Sequence, residues 1–101
     1  MEFTIGHDHP SLPGHFPGRP VVPGVVVLDR VVAALERVHG PLPPLRLPQV
    51  KFLQPLLPGE AARIELEPVA TADGTRRWRF RVLRRDATIA AGDIVAGNDG
   101  A

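Results

Sequence analysis

Two residues in the N-terminal third of the chain have side chains that could move protons together. His15 lies in a stretch that holds five prolines within fourteen residues, and Asp29 follows His15 by fourteen positions in an apolar run. Because proline fixes its own backbone, we expect His15 in a stiff loop. An imidazole that titrates near neutral pH beside a carboxyl group suits general acid and base catalysis. Taken alone, Asp29 could equally form a structural ion pair with Arg30 or Arg46.

The element expected to position Asp29 is a helix from Val25 to His39, the longest apolar stretch without proline. Pro23 precedes this stretch and Gly40 follows it, as is typical of helix boundaries. Apolar residues cover nearly the whole circumference, so we expect protein to surround the helix on most sides. At its start, the backbone N–H of Gly24 is a possible donor to an oxygen that develops negative charge.

The second half of the chain alternates apolar and polar residues, a pattern that predicts strands. Between the expected strands Arg63 to Glu67 and Arg77 to Val82, a three-residue loop with Gly74 in the left-handed conformation sets Leu66 opposite Phe80. A strand, a long loop, a helix and then four strands predict an α+β fold with an antiparallel sheet. The expected strands are Glu2 to Ile5, Gln49 to Leu53, Arg63 to Glu67, Arg77 to Val82 and Thr88 to Val95.

The segment from Gly14 to Asp29, GHFPGRPVVPGVVVLD, resembles the signature of the hot-dog-fold 3-hydroxyacyl-acyl carrier protein dehydratases of fatty-acid synthesis. The pattern of that family is close to GHFPGxPxxPGVLxxE, or the same with Asp, and the histidine, the glycines, the prolines and the acid fall in register. The segment from Val50 to Pro58, VKFLQPLLP, resembles the strand and turn that follow the helix in that family. Compact chains of this kind also resemble the dehydratases of aryl-polyene pathways.

The resemblance implies a curved antiparallel sheet wrapped around one long central helix. It also implies that His15 and Asp29 are the catalytic residues, and that the Gly24 N–H donates to the thioester carbonyl. Phe16 and Val25 are the other expected substrate-binding residues. Family sites lie at a dimer interface, where the histidine and the acid come from different subunits. The expected partners are therefore a second copy of the chain and an acyl carrier protein, or coenzyme A, that presents the substrate; no metal or other cofactor is expected.

The expected reaction is removal of water from a 3-hydroxyacyl thioester to give a trans-2-enoyl thioester, in fatty-acid or polyene biosynthesis. Two alternatives remain open. A hot-dog acyl thioesterase would also bind an acyl thioester, although it would release a free thiol. A catalytically silent hot-dog subunit is the other alternative, because Ala33 replaces the glutamine that usually follows the acid by one helical turn.

Length and charge limit the remaining function classes. The 101 residues predict a single domain over residues 1–101, with a core thin enough for dimerisation to help it. A net charge of +1 argues against nucleic-acid binding, and the absence of cysteine excludes disulfides. Neither a membrane-spanning run nor a signal peptide is evident, so we expect a cytoplasmic protein.

Six arginines lie between Arg76 and Arg85, half of the basic residues of the chain. They are expected to form a solvated strand face balanced by Glu65 and Glu67, with Glu65 opposite Arg81. Alternatively, Arg19, Arg84 or Arg85 could dock an acidic carrier protein. The histidines at positions 7 and 9 are expected to be exposed loop residues rather than metal ligands.

Overall fold

The computed structural model describes residues 1–6, 9 and 21–97 of the chain. The elements are β1 (Glu2–Thr4), α1 (Gly24–His39), β2 (Leu45–Phe52), β3 (Ala61–Val69), β4 (Arg76–Arg84) and β5 (Ala87–Ala96). All pairs are antiparallel and form one sheet in the order β1-β3-β4-β5-β2. Among these residues, no helix has the length and apolar character needed to span a bilayer.

The predicted elements are all present, and the largest difference concerns the start of β2. This strand begins at Leu45 rather than at the expected Gln49, although it contains Pro48. The pairing of β2 with β5 shifts register between Arg46 and Gln49. A proline is tolerated in a sheet at a bulge or on an edge strand, and β2 is both irregular here and at the edge.

The hairpin between β3 and β4 has the predicted register, with Leu66 opposite Phe80. Gly74 has a φ of 80°, the left-handed conformation expected at this turn. The side chain of Asp73 accepts hydrogen bonds from the backbone N–H and the hydroxyl of Thr75, at 3.1 and 2.7 Å. These bonds favour the charged carboxylate, the hydroxyl bond most of all, and so lower the pKa of Asp73.

The core lies between one side of α1 and the face of the sheet that carries Trp78 and Phe80, both buried as predicted. From α1 it takes residues at helical spacing, Val26, Val27, Val31, Ala34 and Leu35. The expectation that protein surrounds the helix is not met within one chain, since Val25 and Val38 are 64% and 59% exposed. A single layer of five strands covers only one side of a helix.

Gly92 of β5 lies close to the backbone of β2 and to the ring of Phe80. A Cβ atom at this position would lie 2.3 Å from the backbone oxygen of Gln49 and 2.8 Å from Cε2 of Phe80. Because a backbone atom and a fully buried ring cannot easily move aside, we expect Gly92→Ala to lower the free energy of unfolding by about 2–3 kcal/mol. Denaturant unfolding measures this loss. Ala91→Ser, on the other face of the same strand, is the control and should change stability by less than about 0.5 kcal/mol; equal losses would contradict the packing argument.

Candidate functional site

The first turn of α1 presents backbone donors that find no acceptor among the described residues. Pro23 is the N-cap residue, and its carbonyl accepts the N–H groups of Val26 and Val27 at 3.0 and 3.3 Å. No side chain caps the helix, and no described residue accepts the N–H of Gly24 or Val25. The sequence expectation placed Gly24 just before the helix, whereas Gly24 is its first residue. These two N–H groups lie at the positive end of the helix dipole, where a partly negative oxygen is stabilised.

The ring of Phe52, at the end of β2, packs directly on this first turn. A Cβ atom on Gly24 would lie 2.6 Å from Cζ of Phe52 and 3.0 Å from Cε1. Glycine therefore allows the ring to reach the helix backbone. This contact is not predictable from the sequence, because a segment with alternating residues such as VKF does not reveal which helix turn its aromatic residue will meet.

Replacing Gly24 tests the contact with Phe52. The ring is half exposed and lies at the far end of a flexible side chain, so it can move aside. We expect Gly24→Ala to cost less than about 1 kcal/mol of unfolding free energy, well below the loss at Gly92, while shifting the NMR resonances of the Phe52 ring. In a Phe52→Ala background the same substitution should cost nothing. An equal cost in both backgrounds would show that the ring is not the reason.

A backbone hydrogen bond fixes the segment that leads into the helix. The N–H of Val22 donates to the carbonyl of Leu56 at 2.8 Å, and the side chains of both residues are buried. Val22 precedes the N-cap by one residue, so the position of the free donors depends on the segment that contains Leu56. This segment connects β2 to β3.

Four exposed apolar side chains lie on the segments that meet at the start of the helix. Val25 lies in its first turn, Phe52 and Leu53 at the end of β2, and Leu57 in the connection that follows. The exposed fractions are 64%, 53%, 57% and 43% respectively. Apolar side chains grouped in this way are typical of surfaces that bind a ligand or another protein. We call these four residues the apolar patch.

Asp29 lies on the exposed side of α1, one turn after Val25 and away from the sheet. It forms no hydrogen bond or ion pair with the described residues, so the ion pair with Arg30 or Arg46 is not seen there. The sequence expectation of an apolar setting is also not met in the single chain. His15 and Phe16 lie outside the described residues, and the pairing of His15 with Asp29 stays a prediction.

The arginines of β4 divide between two faces of the sheet. On the face away from the helix, Arg81 pairs with Glu65 as predicted, whereas Arg77 and Arg79 pair with Asp93, at 2.9 and 3.8 Å. The balancing charge was expected from Glu65 and Glu67 alone, whereas Asp93 also supplies it, because β5 lies beside β4 in the sheet. Arg84 instead binds the β2–β3 connection. This arrangement leaves Arg85 as the described candidate for docking a carrier protein, since Arg19 lies outside the described residues.

Comparison with known proteins agrees with the fold and with the sequence motif. The model of the ApeI-like family, whose description is ApeI dehydratase, matches residues 1–93 of this chain. The 3-hydroxyacyl-acyl-carrier-protein dehydratase FabZ of Symbiobacterium thermophilum is 33% identical over an alignment of 79 residues, and the alignment covers 70% of this chain and 56% of the relative. The chain thus spans little more than half the length of that curated relative.

Two solved structures show the same fold. The dehydratase heterocomplex ApeI:P from Xenorhabdus doucetiae superposes with a TM-score of 0.73 and 22% identity, over 95% of this chain and 84% of that one. A variant of the fluoroacetyl-CoA-specific thioesterase FlK has a TM-score of 0.71 and 16% identity, over 96% and 81%. The five-stranded antiparallel sheet with one helix is therefore a hot-dog fold, as predicted.

Proposed function

The chain belongs to the ApeI-like dehydratase family, and from this premise we propose that it removes water from 3-hydroxyacyl thioesters to give trans-2-enoyl thioesters. The observation that carries the proposal is the uncapped first turn of α1, whose Gly24 and Val25 N–H groups have no described acceptor. An acyl thioester offers the matching group, because its carbonyl oxygen gains negative charge when the C2 proton leaves. The family match covers the whole of the GHFPG to Asp29 motif.

In the proposed reaction His15 takes the proton from C2, and the electrons of that C–H bond form the C2–C3 double bond. The C3–O bond breaks, and Asp29 delivers a proton to the departing hydroxyl, directly or through water, so that water leaves. The Gly24 N–H donates to the thioester oxygen while the carbanion character is greatest. Phe16 and Val25 contact the acyl group, which fits the exposed position of Val25 in the apolar patch.

We further propose that two copies of the chain form the working enzyme. The strand β2 is an edge of the sheet, and the apolar patch and Asp29 are exposed beside or on α1. A strand edge next to exposed apolar side chains tends to associate with another protein chain. A second copy would cover it and bring its own His15 towards Asp29. Light scattering at micromolar concentration should give twice the mass of the chain; a stable monomer would contradict the proposal.

The proposed substrate carrier is an acyl carrier protein, and the proposed compartment is the cytoplasm. Carrier proteins are acidic, and the exposed Arg85 is a basic contact of the required sign. A comparison of the same acyl group on a carrier protein and on coenzyme A measures the preference. We expect kcat/KM to be higher for the carrier-bound substrate and to fall with added salt.

One assay separates the three candidate activities. The protein is incubated with a 3-hydroxyacyl thioester and, separately, with its 2-enoyl partner, while the conjugated enoyl absorbance and free thiol are both followed. A dehydratase changes the absorbance in opposite directions from the two substrates and releases no thiol. Thiol release without enoyl formation would identify a thioesterase, and no change in either signal would identify a silent subunit.

A further inference from the structure

One arginine side chain binds three residues of the connection between β2 and β3, residues 53–60. From the end of β4, Nη1 of Arg84 donates to the backbone oxygen of Pro55 at 2.8 Å and to Oε1 of Glu60 at 3.1 Å. Its Nη2 donates to Oε1 of Gln54 at 3.0 Å. Three acceptors from one connection thus meet one guanidinium, whose rigid fork of donors is suited to such a task.

The carboxylate of Glu60 extends this arrangement. Its Oε1 atom accepts the backbone N–H of Leu57 at 2.9 Å in addition to the bond from Arg84. Both side chains of the ion pair are partly shielded from water, in contrast to the more exposed pair of Arg81 with Glu65. Charge-assisted bonds of this kind, with several partners, hold a loop more firmly than an exposed pair does.

The connection in turn holds the start of the helix at two points. Leu56, which is buried, accepts the Val22 N–H through its carbonyl, just before the N-cap. Phe52, immediately before the connection, packs on Gly24. A shift of the connection would therefore move the free N–H groups of the first turn, although Arg84 itself does not touch that turn.

We propose that Arg84 is a positioning residue for the reaction: through the β2–β3 connection it keeps the Gly24 N–H aligned with the thioester oxygen. This inference rests on the proposed function. Arg84 would then support the site and would not dock a carrier protein, because its guanidinium already has three oxygen acceptors in its own chain.

The test combines kinetics with amide hydrogen exchange on the full chain. Since small misplacements of a catalytic group can reduce rates up to about a hundredfold, we expect Arg84→Ala to lower kcat about tenfold, with KM within about twofold. The exchange rate of the Val22 amide should rise about tenfold, because its hydrogen bond opens more often. Arg81→Ala, on the same strand with a pair on the other face, is the control and should change neither quantity.

Variants of Glu60, which binds both Arg84 and the Leu57 N–H, test the same hydrogen bonds from the other side. Glu60→Gln keeps an oxygen that can accept from Arg84 and Leu57, so its kcat should stay close to that of the wild type. Glu60→Ala should resemble Arg84→Ala, and the double variant should be little worse than either, because the two residues act together. If Arg84→Ala does not fold, Arg84→Lys replaces it. The lysine ammonium has a single nitrogen and does not reproduce the guanidinium fork, whose two nitrogens bind the three acceptors, so kcat should again fall.

Each outcome decides the proposal. A lower melting temperature with unchanged kcat and unchanged Val22 exchange would show a purely structural role and overturn it. Faster Val22 exchange with unchanged kcat would also overturn it, because the helix start would then not need this support. Failure of the proposed function is distinguishable from both, since it would appear as a wild-type protein without dehydratase activity.

Discussion

His15→Ala is expected to lower the rate of interconversion of 3-hydroxyacyl and 2-enoyl thioesters by about a thousandfold, because the proposed reaction loses the group that takes the C2 proton. Asp29→Asn should lower it to a similar degree, since the amide cannot deliver a proton to the leaving hydroxyl. Residues that act as one unit have strongly non-additive effects. The rate of the double variant should therefore be close to that of the less active single variant.

Stability measurements separate this role of Asp29 from a structural one. Asp29 is exposed and forms no ion pair with described residues, so Asp29→Asn should change the free energy of unfolding by less than about 0.5 kcal/mol. Melting temperature and rate are measured on the same samples. If the rate losses of the two single variants multiply in the double variant, or if Asp29→Asn is stable and fully active, Asp29 is removed from the mechanism.

Mixing the two inactive variants is expected to restore activity. If each site takes its histidine from one subunit and its acid from the other, a dimer of one His15→Ala chain and one Asp29→Asn chain contains one intact site. Random exchange of subunits should then restore about a quarter of the wild-type activity. The exposed position of Asp29, turned away from its own sheet, is the structural reason to expect a shared site.

The mixture has an internal control. Two samples of the same variant, mixed and treated identically, should stay inactive, because no exchange can create an intact site. A mass-tagged partner shows whether mixed dimers have formed. Full formation of mixed dimers without any activity would show that the two residues belong to one chain, and would contradict the shared site.

Local features of the sequence predicted most of the fold. The helix is bounded within one residue of the expectation because proline before it and glycine after it limit where a helix can run, and Gly40 has a positive φ of 76° that glycine adopts without strain. The register of β3 and β4 followed from the alternation of side chains between the two faces of a strand, since a slip by one residue would have turned Leu66 away from the core. The dehydratase family followed from one dense motif, whose residues are close together in the chain.

Contacts between distant segments were decided only by the tertiary structure. The packing of Phe52 on Gly24 and the binding of Arg84 to Gln54, Pro55 and Glu60 join residues that are 24 to 30 positions apart. Composition and periodicity state which face of an element is apolar, but they do not state which side chain reaches which turn. For the same reason the apolar residues around nearly the whole helix suggested that protein encloses it on most sides, although the five-stranded sheet covers one side and leaves Val25 and Asp29 exposed.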